Sequence, residues 1–321
     1  MQVNYIRAFV EHHVIAPLTS FSHAIEKALF PPEFPLLDEA QDVTQKFSFD
    51  AYFGKAYVIN IDSSTKKLET TRAHFEAIGM TNWERFSAVN GYQLADDYII
   101  EDTAITFKDF YTRMPGRDER HKRAQAGCFL SHLYALKQAR AEHLETVHIH
   151  EDDAVYAQNE HAARMLEGTM KELPENWDML FLGFHHDVAP TPLSQHVVRV
   201  ESGNCMHSYV VHQRCFDRLI GHLEQAITDR DDALLPVDEV FSEHFERKNY
   251  NVFCPRKLLC AQRDGLKSDI TGNTNSDYSL PRKLVQRAYY TCIGPALNAL
   301  GLRKYMIYKT AAKIGKLLNL Y

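Results

Sequence analysis

The stretch Thr146-Val147-His148-Ile149-His150-Glu151-Asp152-Asp153-Ala154-Val155 decides the predicted fold. Val147 and Ile149 alternate with polar residues, which is the pattern of a β-strand that buries one face. Three consecutive carboxylates follow at the carboxyl end of that strand. Because open α/β sheets bind their ligands at this end of their strands, we expect the chemistry of the chain here.

The acidic triplet, Glu151-Asp152-Asp153, has two interpretations. Adjacent carboxylates repel one another, so they either lie on a solvated turn or hold a cation. An extended backbone points Glu151 and Asp153 one way and Asp152 the other, whereas a turn can bring two of them to one ion. Oxygen ligands favour Mg²⁺ or Mn²⁺ over a closed zinc site. A three-residue motif is short, so both interpretations stay open from the residues alone.

The composition is that of an ordinary globular protein. The chain has 321 residues, of which 45% are hydrophobic and 24% charged, enough for one large or two small domains. No apolar run of spanning length is present, and the N-terminus lacks the pattern of a secretory signal. The six cysteines include no C-x-x-C pair, which indicates free thiols in a reducing compartment. We therefore expect a cytoplasmic location.

Charge is distributed unevenly along the chain. The formal net charge is −6, yet residues 279–321 contain eight lysines or arginines and no acidic residue. Apolar residues recur there at roughly helical spacing, which is typical of an interfacial helix. We expect a basic amphipathic tail over 276–321, with an anionic membrane surface as its partner and no nucleic acid. Docking on the chain's own body or on an acidic protein is the alternative. An extension of unassigned role precedes the body at 1–52.

Between these flanks, residues 53–275 alternate between strand and helix patterns. A strand at 55–61, a helix from Ser64 to Gly79 and a strand at 83–89 form a β-α-β unit. Residues 91–123 are predicted to be an irregular polar loop. The alternation predicts an α/β domain with a mainly parallel sheet flanked by helices. Further helices are expected at 124–143, 162–173, 214–223 and after Pro236, and further strands at 177–183, 206–212 and 251–255.

Gly127 and Ser131 are one turn apart on the helix that precedes the central strand, with His132 beside them. A helix that starts at such a glycine would let a phosphate or a sugar approach its backbone. Cys128, in contrast, is assigned to helix packing.

Two other groups have a functional and an ordinary interpretation. His185-His186-Asp187 lies on a predicted loop, where it either binds a metal or is unliganded, as is common for loop histidines. Asp238 and Glu239 follow Pro236 at a helix start. There, acidic residues favour the helix dipole, or one of them acts as a base in a cleft.

Taken together, these segments resemble glycosyltransferase family 25, which includes bacterial lipopolysaccharide and lipooligosaccharide galactosyltransferases. The similarity extends over about two thirds of the chain and rests on six blocks in order. They are YVINI at 57–61, FSAVNG at 86–91, GCFLSH at 127–132, EDD at 151–153, WDMLFLG at 177–183 and PVD at 236–238.

The resemblance implies a GT-A-like, Rossmann-type fold, a nucleotide-sugar donor, with UDP-galactose expected, and a DxD-type motif that holds Mn²⁺ or Mg²⁺ against the diphosphate. Glu151 and Asp153 are the expected metal ligands. The sequence departs from the family at 62–65, where basic residues usually follow the strand, and at Gln125, which replaces a common acidic residue. The expected donor-binding residues are Asn60, Asp62, Lys67, Asn90, Gly91, Gly127, Ser131, His132 and Asp152.

The resemblance further implies an inverting hexosyl transfer onto a glycolipid or oligosaccharide in cell-surface polysaccharide biosynthesis. Asp238 is the expected catalytic base, with Glu239 as the second candidate. Two alternatives remain. One is a metal-dependent phosphoester hydrolase, which would need further ligands such as the histidines at 185 and 186. The other is a membrane-associated protein of the same fold that binds without turnover.

Overall fold

A computed structural model describes residues 49–116, 118–157, 160–186, 190–229 and 234–263. The predicted tail at 276–321 and residues 1–48 of the predicted extension lie outside these residues. Helices α1 to α7 are Phe49–Tyr52, Thr65–Ile78, Phe107–Arg113, Glu119–Ala141, Glu160–Glu172, Phe216–Thr228 and Val237–Glu246. Strands β1 to β10 are Ala56–Asn60, Trp83–Ser87, Thr146–Glu151, Ala154–Tyr156, Met179–His186, Thr191–Pro192, Val197–Arg199, Gly203–His212, Val252–Pro255 and Cys260–Gln262.

A central sheet has the strand order β2-β1-β3-β8-β5-β9-β7-β6. Strand β1 pairs in parallel with both β2 and β3, and β5 pairs in parallel with β9. Strand β8 runs antiparallel between β3 and β5, so β1, β2, β3, β5 and β9 all point the same way. The prediction of an α/β fold with a mainly parallel sheet is confirmed. The carboxyl ends of β1, β2 and β3 therefore meet at one edge of the sheet.

Helices cover both faces of this sheet. On one face, Val147 and Ile149 of β3 belong to a hydrophobic cluster with Phe129 and Leu133 of α4. A second cluster on the other face contains Phe75 of α2 together with residues of α1 and α5. Strand β3 is thus buried on both sides, which is expected of a central strand with helices on each face.

The buried polar face of β3 is occupied by His148 and His150, which are 1% and 0% exposed. The Tyr156 hydroxyl lies 3.0 Å from a ring nitrogen of each histidine and 2.5 Å from the Ser208 hydroxyl oxygen. Burial lowers the pKa of His148 to about 3, so its ring is neutral at physiological pH. The alternation in β3 therefore marks two different buried environments, not an exposed and a buried face.

The segment at 91–123 differs from its prediction as an irregular loop. It contains α3, in which Phe107, Phe110 and Tyr111 are buried. The Thr106 hydroxyl accepts a hydrogen bond from the Asp109 amide and caps the helix start. A short apolar stripe and an N-cap were sufficient to form a helix in an otherwise polar sequence.

Two further boundaries predicted from the sequence are wrong. Helix α4 begins at Glu119, where the Asp118 side chain accepts from the His121 amide, and not at residue 124. Strand β5 continues to His186, so His185 and His186 lie in a strand end and not on a loop. Asp187 lies outside the described residues. Within the described residues, no helix combines the length and apolarity needed to span a bilayer.

Helix α4 contacts the loop after β2 through two glycines. A Cβ on Gly91 would lie 1.9 Å from the Arg123 carbonyl oxygen, and one on Gly127 would lie 2.5 Å from that of Val89. The Arg123 side chain adds hydrogen bonds to the carbonyl of Gly91 and to the carboxylate of Asp96. Backbone contact at this distance excludes any side chain, so both glycines are required by packing.

We expect Gly91→Ala to lower the free energy of unfolding by about 1–3 kcal/mol or more, because its Cβ would overlap backbone that cannot move independently. Gly221→Ala, inside α6, is the matched control, since among the described residues only its own helix backbone and chain neighbours lie within 4 Å of the position that a Cβ would take there. The Gly221→Ala change should raise the free energy of unfolding by roughly 0.5–1 kcal/mol, because alanine has a higher helix propensity than glycine. Urea unfolding followed by circular dichroism measures both. Equal effects of the two substitutions would contradict the close contact.

Candidate active site

A cleft lies at the sheet edge where β1, β2 and β3 end. Its walls come from the ends of β1 and β3, from α2 and α4, from the loop after β2 and from β10. The structure brings together there eight of the residues predicted from sequence. They are Lys67, Asn90, Gly91, Ser131, His132, Glu151, Asp152 and Asp153.

The middle carboxylate of the triplet is held by neighbouring polar groups. Asp152 Oδ2 accepts a hydrogen bond of 2.7 Å from the Asn60 amide, and its Oδ1 lies 3.6 Å from Lys67 Nζ. The Thr71 hydroxyl donates to the Asp152 carbonyl at 2.8 Å. Asp152 is thereby neutralised and fixed, and the turn between β3 and β4 is fixed with it.

The two outer carboxylates have different neighbours. Glu151 Oε1 lies 3.7 Å from His132 Nε2. Asp153 Oδ2 accepts a long hydrogen bond of 3.4 Å from Gln262, while its buried Oδ1 has no hydrogen-bond partner among the described residues. Gln262 reaches this position because β10 pairs with β4 and places it opposite Ala154.

Burial raises the pKa of both Glu151 and Asp153, and the neighbouring carboxylates raise it further. A buried carboxylate oxygen without a partner is costly unless a proton or a cation is supplied. An oxygen donor of this kind, with the half-buried Glu151 carboxylate beside it, fits a hard divalent cation such as Mg²⁺ or Mn²⁺. The cation interpretation of the triplet thus agrees better with this environment than a solvated turn does.

Asn60 and Asp62, at the end of β1, do not line the cleft. Asn60 is 2% exposed and supports Asp152, and it also accepts a hydrogen bond of 3.0 Å from Arg85 Nε. Asp62 is exposed and pairs with Arg85 and with the Ser87 hydroxyl. Arg85 could not be predicted from the sequence, since a single basic residue in a strand gives no signal by itself.

Ser131 and Gly127 join α4 to the loop after β2. The Ser131 hydroxyl accepts from the Val89 amide at 2.8 Å and donates to the Gly127 carbonyl at 2.7 Å. Gly127 lies inside α4, so the expectation that it starts the helix, with free amides for a phosphate, is wrong. The hydroxyl of Ser131 positions the cleft wall that contains Asn90 and Gly91.

Asp238 and Glu239 lie in the first turn of α7. The Asp238 carboxylate accepts hydrogen bonds from the amides of Cys205 and Glu239, at 2.9 and 3.0 Å. Burial is the main cause of the raised pKa of Glu151 and of the Cys128 thiol, and the negative charge of Asp238 raises both further. Asp238 is therefore an electrostatic neighbour of the cleft, although it does not line it.

Several cleft residues were missed or assigned otherwise from sequence. Cys128, which was assigned to packing, lines the cleft, as do Tyr92 and Gln262. A signal for Cys128 was present, because it lies one helical turn before His132 and shares its face. In contrast, the structure does not bring His185 and His186 into the cleft wall. Burial lowers the pKa of the His132 imidazole to about 4, so this ring is neutral at physiological pH.

Residues 53–241, more than half of the chain, match the model of a family described as glycosyltransferase family 25 (LPS biosynthesis protein). A protein of Aedes aegypti described as a glycosyltransferase 25 family member is 29% identical over 133 residues. That match covers 40% of this chain and 20% of the mosquito protein, so it spans only a fifth of that relative. The chain belongs to glycosyltransferase family 25.

Similarity to solved structures is low. The crystal structure of A197 from STIV has a TM-score of 0.33 at 10% identity, and the match covers 70% of this chain and 95% of that one. A mannose-1-phosphate geranyltransferase from Thermus thermophilus has a TM-score of 0.32 at 10% identity, covering 66% and 74% of the two chains.

The raised pKa of Asp153 predicts how stability depends on pH when cations are removed with EDTA. A carboxyl group whose folded-state pKa exceeds its unfolded value stabilises fully below about pH 4 and loses that contribution as pH rises through the folded-state pKa. We therefore expect Asp153→Asn to be more stable than the wild type by on the order of 1 kcal/mol at about pH 8, with a smaller difference at about pH 5.

Urea unfolding at the two pH values measures this difference. The control is Asp62→Asn, because hydrogen bonds from Ser87 and Arg85 lower the pKa of that exposed carboxyl group. The Asp62→Asn variant should be no more stable than the wild type at the higher pH. A wild type whose stability rises with pH to the same extent as that of Asp153→Asn would contradict the prediction.

Proposed function

We propose that the protein transfers a hexose, galactose in the first instance, from a nucleotide sugar to a hydroxyl group of a glycolipid or oligosaccharide in cell-surface polysaccharide biosynthesis. One observation carries the proposal. Two carboxylates with raised pKa, the half-buried Glu151 and the buried Asp153, lie at the end of a central strand in a cleft formed by parallel strands. Family membership supports the reaction class, and the site supports the use of a cation with an anionic donor.

The donor side of the cleft would hold the diphosphate of UDP-galactose. Glu151 and Asp153 would bind Mn²⁺ or Mg²⁺, which supplies positive charge as negative charge accumulates on the departing diphosphate. Lys67, held in the cleft wall near Asp152, adds a second positive charge. The backbone at Asn90 and Gly91 and the side chains of Ser131 and His132 would contact the sugar nucleotide.

On the acceptor side, we assign the base to Asp238 and keep Glu239 as the second candidate. The base takes the proton of the acceptor hydroxyl group. The oxygen of that hydroxyl group bonds to the anomeric carbon as the sugar–phosphate bond on the opposite side breaks, which inverts the configuration at the anomeric carbon. Two backbone amides orient the Asp238 carboxylate, as a positioned base requires.

The transferase and hydrolase hypotheses differ in their products. A two-metal hydrolase would need more ligands than the triplet, and the placement of His185 and His186 outside the cleft wall weakens that alternative. Incubation of the protein with UDP-galactose and Mn²⁺, with and without a lipooligosaccharide acceptor, separates the two. Acceptor-dependent product supports transfer. Acceptor-independent release of galactose or phosphate as the main reaction would support hydrolysis, and absence of donor binding in calorimetry would support a binding protein.

We expect Asp153→Asn to abolish transfer while leaving the folded structure intact, because it removes a cation ligand and one charge. Asp217→Asn is the matched control, since Asp217 lies on the exposed face of α6, where its carboxylate pairs with Arg140. Near-normal turnover of Asp153→Asn would contradict the cation assignment.

In the same assay, Asp238→Asn should lower kcat about 10²–10⁴-fold with little change in donor KM.

The basic tail suggests a peripheral location on the inner face of the cytoplasmic membrane, close to a lipid-linked acceptor. Deletion of residues 279–321 should remove most binding to vesicles that contain anionic lipid, because eight positive charges are lost, each worth about 1 kcal/mol near such a surface. Neutral vesicles are the control in a flotation assay. Unchanged binding of the truncated chain to anionic vesicles would refute a membrane role for the tail.

A further inference from the structure

We infer that Cys128, His132 and Glu151 form a second cation site, selective for a thiophilic divalent ion such as Zn²⁺. The Cys128 sulfur, a His132 ring nitrogen and a Glu151 carboxylate oxygen all lie within 4.8 Å of one another. This set shares Glu151 with the oxygen site proposed for the donor, but its other two ligands are sulfur and nitrogen. The inference therefore concerns a different ion from the one that serves the proposed transfer.

Rigid elements hold the three groups together. Cys128 and His132 are four residues apart in α4, so they project from one face of the helix. Glu151 is the last residue of β3, a strand whose Val147 and Ile149 pack in one cluster with α4 residues. The distance of 3.7 Å between His132 Nε2 and Glu151 Oε1 is close to that between two ligands of one tetrahedral zinc ion.

The second ring nitrogen of His132 is already engaged. Nδ1 lies 2.7 Å from the Tyr209 hydroxyl oxygen, and both residues are buried. When Nδ1–H donates to that oxygen, Nε2 presents its lone pair towards Glu151. Histidines that bind metals usually have such a partner on the other nitrogen, because it fixes the tautomer and the ring orientation.

The ligand chemistry favours zinc over Mg²⁺ or Mn²⁺. Thiolate and imidazole are preferred by softer ions, whereas hard ions prefer oxygen. Three protein ligands leave a fourth position, and since Cys128, His132 and Glu151 all line the cleft, that position faces the cleft. Binding converts the Cys128 thiol to a thiolate bonded to the metal and releases its proton to solvent. The negative charge of Asp238, which acts on Cys128 and Glu151, adds to the attraction for a cation.

Cobalt(II) is the probe, because it replaces zinc in such sites and its thiolate complexes absorb in the near ultraviolet by charge transfer. Titration of the full-length reduced protein with Co²⁺ should give this band with one equivalent bound, and Zn²⁺ should displace it. Cys128→Ser should abolish the band. Cys205→Ser is the matched control, because Cys205 is an exposed thiol, and it should keep the band.

Two more variants distinguish this site from the oxygen site proposed for the donor's cation and test the role of Tyr209. Asp153→Asn should retain the cobalt band, since Asp153 is not among its ligands. Tyr209→Phe should keep the band but weaken cobalt binding about 10–100-fold, because it removes only the group that orients His132. Absence of the band in the wild type, its persistence in Cys128→Ser or its loss in Cys205→Ser would overturn the inference. These spectra need no turnover, so they are independent of the outcome for the proposed transfer.

If the proposed transfer holds, the shared carboxylate has a further consequence. Zn²⁺ bound at Cys128 and His132 would withdraw Glu151 from the donor's cation and inhibit transfer in the presence of saturating Mn²⁺. Cys128→Ser should then need at least about tenfold more Zn²⁺ for the same fractional inhibition. Equal zinc sensitivity of the two proteins would contradict inhibition through this site while leaving the cobalt result standing.

Discussion

The repulsion between neighbouring carboxylates at the end of β3 is the constraint on which the rest of the site depends. The half-buried Glu151 and the buried Asp153 can lie side by side at low cost only if protons or a cation neutralise them. The middle carboxylate avoids this cost, because Asn60 and Lys67 surround it. Its neighbours thus set Asp152 apart from the other two: Asp152 is bound to the protein, whereas Glu151 and Asp153 are the carboxylates that the proposed cation would use.

The scaffold beneath the triplet explains why the turn keeps this arrangement. His148 and His150 lie under it on the other face of β3, neutral and in contact with the Tyr156 hydroxyl. Tyr156 belongs to β4, the strand that follows the turn, so this buried polar cluster ties both ends of the turn together. The hydrogen bonds of this cluster specify the geometry of the turn more strictly than apolar packing would, because a shift of either strand end breaks at least one of them.

The sequence was most informative where one residue pattern allowed one structure. The β-α-β unit was predictable because apolar runs, Ser64 and Gly79 mark its boundaries, and the sheet edge followed from the carboxylates after Val147 and Ile149. It was least informative for features that depend on distant partners. The separation of Asp152 from its neighbours requires Asn60, and the role of Gly127 requires the backbone of Val89. The helical spacing of Cys128 and His132 was readable from the sequence, but the proximity of Glu151 to both required the structure.

Glu151 occupies a position between two sets of ligands. On one side is Asp153, whose oxygen suits a hard ion, and on the other are the sulfur and nitrogen of α4. Carboxylate oxygen is acceptable to both classes of ion, so under the two proposals the ion bound would depend on which set of ligands uses Glu151. Glu151 would then serve the donor's cation only while the Cys128 thiol keeps its proton. The chemistry of α4 thus bears directly on which ion the acidic triplet can hold.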